Sequence, residues 1–273
     1  MNIEMGERGA PELKRVVYGP VPSWRLGRSL GIDLISRPKT CSFDCIYCQL
    51  GPTRRWTTRR EEFVPTSRIL EELEALPPVE VDFVTFSGMG EPTLAVNLGE
   101  VMVGIGDYLD CRLAVLTNSS LMGDPRVREE LAMADVVVAK LDAPDEELFQ
   151  EINRPEVGIR LELVLEGLRR FREEYRGRLA IQIMFCSRNR DRAAEMASLI
   201  ASLSPDEVQL NTPLRPSAAP ALSPAELKDI AHAFAGPSVV MVYEAKKVAV
   251  MALDAGETAA RRPEARSPSG GSL

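Results

Sequence analysis

From residue 81 onward the chain alternates short apolar runs with amphipathic stretches, and this alternation restricts the fold more than any other feature of the sequence. Residues 81–86, 112–116, 135–141, 179–185 and 207–210 have the length and apolar character of buried strands. Residues 66–76, 94–109, 126–133, 159–175 and 192–203 carry apolar side chains at helical spacing. In the first of these helices Ile69, Leu70, Leu73 and Leu76 lie opposite Glu71, Glu72 and Glu74, and Pro77-Pro78 closes it. In the second, Val96, Leu98, Val101, Met102, Ile105 and Leu109 are expected to face inward. Residues 29–35 read as the first strand, after a turn-rich connector marked by Gly19, Pro20 and Pro22. Strands alternating with helices call for a parallel sheet with right-handed crossovers. About six such units predict an α/β fold, a partial (β/α)6 TIM-like barrel of parallel strands with the helices outside.

Each predicted strand ends in polar residues. These are Glu91 after the glycines of Ser-Gly-Met-Gly-Glu, then Asn118 and Ser119, Lys140 and Asp142, Asn189, and Asn211. Parallel barrels carry their active sites at the C-terminal ends of the strands, so these residues are expected to ring one mouth. Asn, Ser and Asp also favour caps and turns, which is the alternative reading of each.

The first predicted strand leads into Cys41-Ser-Phe-Asp-Cys45-Ile-Tyr-Cys48, three thiols within eight residues. Gaps of three and two residues let a short loop turn its thiolates inward around a cuboidal iron–sulfur cluster, which takes cysteine ligands. Three cysteines leave one iron open to a non-protein ligand, and an open position on a metal is the mark of a catalytic centre. A structural zinc site wants four Cys or His ligands, and the single histidine, His232, lies far down the chain. Five cysteines, an odd number, in a long chain without a secretory signal argue against a disulfide framework. Cys111 and Cys186 fall in or beside apolar runs, where cysteine packs as a small hydrophobe; Cys186 is close enough to the mouth to donate a hydrogen or ligate an extra metal.

The spacing of the three cysteines, with Tyr47 before the third, resembles the radical S-adenosylmethionine superfamily. Together with residues 16–34 and the following Gln-Leu-Gly, it resembles the group that includes the tRNA wybutosine-synthesising enzyme and its uncharacterised bacterial and archaeal relatives. The resemblance implies a 4Fe–4S cluster on Cys41, Cys45 and Cys48, whose open iron is chelated by S-adenosylmethionine. It further implies reductive cleavage to a 5′-deoxyadenosyl radical that abstracts a substrate hydrogen. By the same resemblance Met89-Gly90-Glu91 falls in the superfamily's Gly-Gly-Glu slot for the amino group of S-adenosylmethionine, with Gly88 beside it. Tyr47, Asn118, Ser119, Lys140, Asp142 and Asn189 are implied as further cofactor or substrate contacts. A flavodoxin or ferredoxin-type reductant is the implied partner. The substrate stays open between a tRNA base, a peptide or protein side chain, and a metabolite. Against RNA stand the absence of cysteines before Cys41, which archaeal wybutosine enzymes use for a second cluster, and the lack of room for a flavodoxin-like domain. The alternative from another class is an iron–sulfur electron-transfer or sensing protein without radical chemistry.

With 33 basic and 40 acidic residues the formal charge is −7, which gives no global attraction for nucleic acid. Locally, Arg54-Arg-Trp-Thr-Thr-Arg-Arg60 places four arginines around Trp56 just after the cysteine loop. It reads either as a surface for an anionic partner or as a solvated linker with Trp56 folded back on the barrel. No run of about 18 apolar residues and no apolar leader is present, so the expected location is cytoplasmic, away from membranes. The expected organisation is a lead-in over 1–15, the barrel over 16–217, and a C-terminal helix and strand packed on it over 218–255. In that last unit Ser223, Pro224 and Glu226 form a helix-capping pattern. Residues 239–243 read as a last, edge strand, and residues 256–273 as a tail disordered by composition.

Overall fold

β-Branched and aromatic side chains at alternate positions build one eight-stranded sheet, in a computed structural model that describes residues 13–234, 236, 238–245 and 248–265. Its strands are β1 (Val17–Ser23), β2 (Gly27–Ile32), β5 (Phe83–Phe86), β6 (Arg112–Thr117), β7 (Val136–Lys140), β8 (Arg178–Met184), β9 (Glu207–Asn211) and β10 (Ser238–Met241), paired in that order. A separate two-residue parallel pair, β3 (Thr40–Cys41) and β4 (Arg55–Trp56), ties the two ends of the cysteine loop. Between the strands run α1 (Thr66–Glu74), α2 (Leu98–Ile105), α3 (Pro125–Leu131), α4 (Glu146–Asn153), α5 (Leu161–Glu174), α6 (Ala193–Leu203) and α7 (Pro224–Ala231), and α8 (Ala255–Arg261) follows β10.

β1 and β2 are antiparallel, and every later pair in the large sheet is parallel. Six strand–helix units therefore run from β2 to α7, and β10 closes the series as the edge strand beside β9. The curled, open sheet with helices on its outer face is the partial barrel that the alternation predicts. Period-two alternation divides its side chains. Leu30, Ile32, Val84, Phe86, Val115, Val137, Ile181 and Val208 belong to the large core shared with the helices. Leu26, Phe83, Ala114, Val136, Val138 and Ala180 form a second, smaller cluster.

Several boundaries depart from the sequence reading, each for a local reason. The connector around Gly19, Pro20 and Pro22 is strand β1, whose place at the edge of the sheet tolerates proline because no further strand needs its N–H groups. The expected strand over 29–35 starts at Gly27 and ends at Ile32. The helix expected over 94–109 is shorter, because the Glu91 side chain caps a 3-10 turn, Pro92–Leu94, that comes first. Val96 then falls in the connection and is exposed rather than inward. The short α4 had no counterpart in the periodicity; Asp145 caps it by accepting from Leu148 N at 2.9 Å. The capping box on α7 forms as its residues imply, with Ser223 N donating to Glu226 Oε2 and Glu226 N to Ser223 Oγ. The expected disorder from residue 256 is overturned as far as Arg261, because α8 is anchored on β1 and on the core of the molecule. Residues 1–12 of the lead-in and 266–273 of the tail lie outside the described residues. No helix among the described residues is long and apolar enough to cross a membrane.

Candidate active site

The chain leaves β2 at Ile32 and passes through Asp33 into the cysteine loop, so the three thiols sit at the C-terminal end of the parallel strands. Backbone bonds fasten this loop to the end of β5: Thr40 N donates to Met89 O at 3.1 Å and Glu91 N to Thr40 O at 3.3 Å. The approach is close enough that a Cβ on Gly90 would lie 1.7 Å from Thr40 O. Gly88 is held in the same way, since a Cβ there would meet the Asp33 carboxylate at 2.3 Å. Gly90 is thus required by the approach of the Thr40 backbone, and Gly88 by the Asp33 side chain packed against it.

Cys41, Cys45 and Cys48 are half-buried free thiols. Asn118 Nδ2 lies 3.6 Å from Cys41 Sγ, Phe43 N 3.5 Å from the same sulfur, and Asn153 Nδ2 3.5 Å from Cys45 Sγ. Buried Lys39 donates to Gly51 O at 2.6 Å, and its ammonium is 3.6 Å from Asp44 Oδ1. Burial works against the Lys39 charge, but Cys48, Cys41 and Asp44 hold its pKa above the ordinary value. Burial also pushes the Cys41 thiol well up and Cys45 up to about 11, so thiolates here require a cation to displace their protons. Among the described residues no three Cys, His, Asp or Glu side chains converge on a point that would hold a single metal ion. Three free thiols within one loop, with N–H groups directed at two of the sulfurs, are a donor set that fits a cube taking each sulfur at its own iron.

The remaining sequence-predicted residues fall into two groups. Ser119 and Lys140 keep some capacity at the mouth, whereas the Asn118 amide, which also accepts from Ser120 N at 3.0 Å, is engaged on both sides. Asn118 bridges Ser42 Oγ at 2.9 Å and the Cys41 sulfur. Ser119 is held at φ 69° and donates to Lys140 O at 3.2 Å. Lys140 Nζ sits 3.0 Å from Asp142 Oδ1 and 4.7 Å from the centre of the Tyr47 ring, yet this buried ammonium makes no well-directed hydrogen bond.

Glu91, Asp142, Asn189 and Tyr47 are instead committed to the protein. Glu91 Oε1 accepts from Thr93 N, Thr93 Oγ1 and Thr117 Oγ1, and Oε2 accepts from Asn118 N at 2.6 Å. Burial raises the Glu91 pKa against these four donors. Asp142 Oδ1 accepts from Met184 N at 2.7 Å, and Oδ2 accepts from the Tyr47 hydroxyl and from Asn153 Nδ2 at 2.8 Å. Asn189 donates to Asp142 O and Met184 O and accepts from Cys186 N at 2.8 Å. Cys186 itself is fully buried in the large core.

Four supporting residues were not singled out in the sequence. Asp33 accepts from Ile35 N, Ser36 N and Met89 N and pairs with Arg261 at 2.6 Å, both side chains being almost wholly buried. Asn153 comes from α4, Lys39 is separated from Cys41 by Thr40 alone, and Thr117 ends β6. Lys39 alone had a sequence signal, a lysine two residues before the first ligand-type cysteine. Of the four arginines after the loop, Arg60 donates to Thr93 O and Ala95 O and pairs with Glu130, and Arg55 pairs with Glu61. Arg54 and Arg59 are exposed, and so is Trp56, which does not fold back on the barrel.

Inside the curl of the sheet lies a cavity of about 210 Å³. Tyr47 and Gln49 of the cysteine loop and Ser87 and Gly88 after β5 line it, together with residues from β1, β2, β5, β6, β8 and β9.

This partial barrel, with three cysteines at its mouth beside a glycine loop, defines a class: the chain belongs to the Radical SAM superfamily, whose model matches residues 35–200. That superfamily uses a 4Fe–4S cluster and S-adenosylmethionine, and its members are enzymes that need an external reductant. At finer grain, a UPF0026 protein of Synechocystis sp. is 49% identical over 204 residues, covering 73% of this chain and 76% of that one. Among solved structures, Streptococcus suis SuiB bound to S-adenosylmethionine aligns with a TM-score of 0.59 at 16% identity, over 77% of this chain and 49% of its own. Archaeal TYW1 aligns at 0.52 and 16%, over 75% of this chain and 70% of its own. At such identities the likeness is one of fold, and this chain spans less than half the length of SuiB.

Proposed function

We propose that the chain cleaves S-adenosylmethionine reductively and uses the 5′-deoxyadenosyl radical on a substrate held in the barrel lumen. The observation that carries this reading is the attachment of the three-cysteine loop directly to the Gly88–Gly90 turn, beside a cavity that Tyr47, Gln49 and Gly88 help to line. Cys41, Cys45 and Cys48 hold the cluster, with Asn118 and Asn153 directing N–H groups at the sulfurs. Such outer contacts tune and orient a metal centre. When bound, the cluster supplies one electron to the sulfonium and keeps an iron open for the amino acid part of S-adenosylmethionine. The backbone at Gly88 and Gly90, with Asn118 and Ser119, lines the place where that molecule would lie, and the spare N–H groups of Lys140 suit its carboxylate. Glu91, Asp142, Asn189 and Tyr47 act by holding these groups in register, since their own hydrogen-bonding capacity is spent within the protein. A flavodoxin or ferredoxin-type reductant, an acidic partner, would dock at exposed Arg54, Trp56 and Arg59 beside the loop.

The test is anaerobic reconstitution with iron and sulfide, chemical reduction, addition of S-adenosylmethionine, and chromatography for 5′-deoxyadenosine. The nucleoside should form, and it should vanish in Cys45→Ala, which should keep the far-ultraviolet circular dichroism of the folded barrel. A loaded cluster whose spectrum is unmoved by S-adenosylmethionine would overturn the proposal and leave electron transfer or sensing.

A further inference from the structure

The lumen cavity is charged in a way the chain as a whole is not. The protein carries a formal charge of −7, yet the cavity lining includes Arg25, Arg215, Arg261 and Arg262 and, among the described residues, no Asp or Glu. Arg261 is neutralised by Asp33 and Glu257. The other three have no ion pair among the described residues: Arg262 donates to a backbone carbonyl, Pro22 O, at 2.6 Å, and Arg25 lies over the Trp24 ring at 4.9 Å.

Buried donors in the same lining lack acceptors. Arg25 Nε, Arg215 Nε and Gln182 Nε2 are each sealed from solvent without a hydrogen-bond partner. An unmade bond at a buried donor costs the desolvation of that group, and folded proteins leave few of them. The three arginines also oppose one another. Burial first, then Arg262 and Arg215, brings the Arg25 pKa down to about 9, and burial with Arg262 brings Arg215 down to about 10. Glu207, outside the lining, offsets only part of this at Arg25, so holding these like charges in a half-buried space without a paired carboxylate is unfavourable for the empty protein. An anion would reverse that cost.

We propose that the lumen is the binding site for a small phosphorylated substrate, with its phosphoryl or diphosphoryl group on Arg25, Arg215 and Arg262 and with Gln182 as a further donor. This rests on the radical reading above and supplies the substrate class that reading leaves open. Phosphate fits better than carboxylate because one negative charge would leave two guanidinium groups uncompensated, and Arg matches phosphate oxygens bidentately. The same cavity is walled by Tyr47, Gln49 and Gly88, so a molecule anchored at the arginines extends toward the cysteine loop.

Inorganic diphosphate is the probe, titrated calorimetrically into the anaerobically reconstituted protein. It should bind with an affinity that falls as salt rises, and Arg25→Gln and Arg215→Gln should each weaken it at least about tenfold, as expected for a lost charge-assisted contact. Without ligand the same variants should melt no lower than the parent, because each removes one of three mutually repelling charges, and this separates loss of a site from loss of the fold. Failure of diphosphate to bind, or equal binding by parent and variants, overturns the inference. Total tRNA that binds the parent but not Arg25→Gln or Arg215→Gln, while diphosphate binds none of them, would overturn it as well. The two readings part cleanly: 5′-deoxyadenosine formed without diphosphate binding removes this inference alone, while arginine-dependent binding without the nucleoside removes the radical reading and keeps an anion site.

Discussion

Asp142 shows what a single side chain does at this mouth. With no exposed surface on its side chain, its carboxylate takes the Met184 N–H, the Tyr47 hydroxyl and the Asn153 amide and sits 3.0 Å from the Lys140 ammonium. Through Tyr47 and Asn153 it reaches both sides of Cys45, so it fixes the middle of the cysteine loop without touching a sulfur. The consequences of two substitutions differ in size. Tyr47→Phe removes one hydroxyl whose partners keep other bonds, and should cost about 1–2 kcal/mol of stability. Asp142→Asn leaves the buried Lys140 charge without its counter-ion and should cost about 3–5 kcal/mol. Urea denaturation of the iron-free protein measures both, and iron retained per chain after reconstitution should fall in the same order. Equal effects would mean that the carboxylate charge is not what organises the loop. The sequence marks Asp142 as a polar residue at a strand end, but its neighbours in space come from three other segments, so its supporting role is not readable from its place in the chain.

At the scale of elements, the backbone of the loop is fastened to the end of β5. Thr40 and Gly90 form a parallel bridge, and the space for it exists because position 90 has no Cβ. Gly90→Ala puts a methyl group against a backbone oxygen that cannot swing aside, so the loop must lift from β5. The expected loss is about 1–3 kcal/mol from overpacking. A larger functional effect should accompany it, because Thr40 adjoins Cys41: cluster content read from visible absorbance should drop well below that of the parent at equal protein concentration. Normal loading with lowered stability would show that the loop tolerates detachment. The strands and most helices were legible because the hydrophobic period is strong where an element packs on the core along its length, as in α5 and α6. Among the elements longer than three residues, three were not. β1 contains Gly19, Pro20 and Pro22, which read as turn unless the edge position is known. In α4 the buried Leu148, Phe149 and Ile152 span barely two turns among charged residues. α8 has almost no apolar stripe at all, and ionic contacts hold it.

Across the whole molecule, α8 explains how an open sheet keeps its two edges in place. The chain leaves β10 at one edge, crosses to β1 at the other, and there Glu257 accepts from Lys14 N while Arg261 donates to Arg15 O. The Arg261 guanidinium also reaches Asp33, whose carboxylate takes the Met89 N–H in the glycine turn. A contact near the C-terminus is thereby joined in two steps to the glycine turn proposed to hold S-adenosylmethionine. Arg261→Met keeps the length and apolar packing of the side chain and deletes its charge. It leaves Asp33 buried with three backbone donors and no counter-ion, so the expected loss is about 3 kcal/mol, the lower end for breaking a buried pair. The exposed helical pair Arg170–Glu166 is the comparison, and Arg170→Met should change stability by no more than about 0.5 kcal/mol. Urea denaturation of the two variants side by side tests this. If Arg261→Met costs no more than Arg170→Met, α8 is a passive appendage. If it costs several times more, the affinity of the loaded protein for S-adenosylmethionine should fall with it, because the Asp33 hold on Met89 slackens when its other oxygen loses its partner.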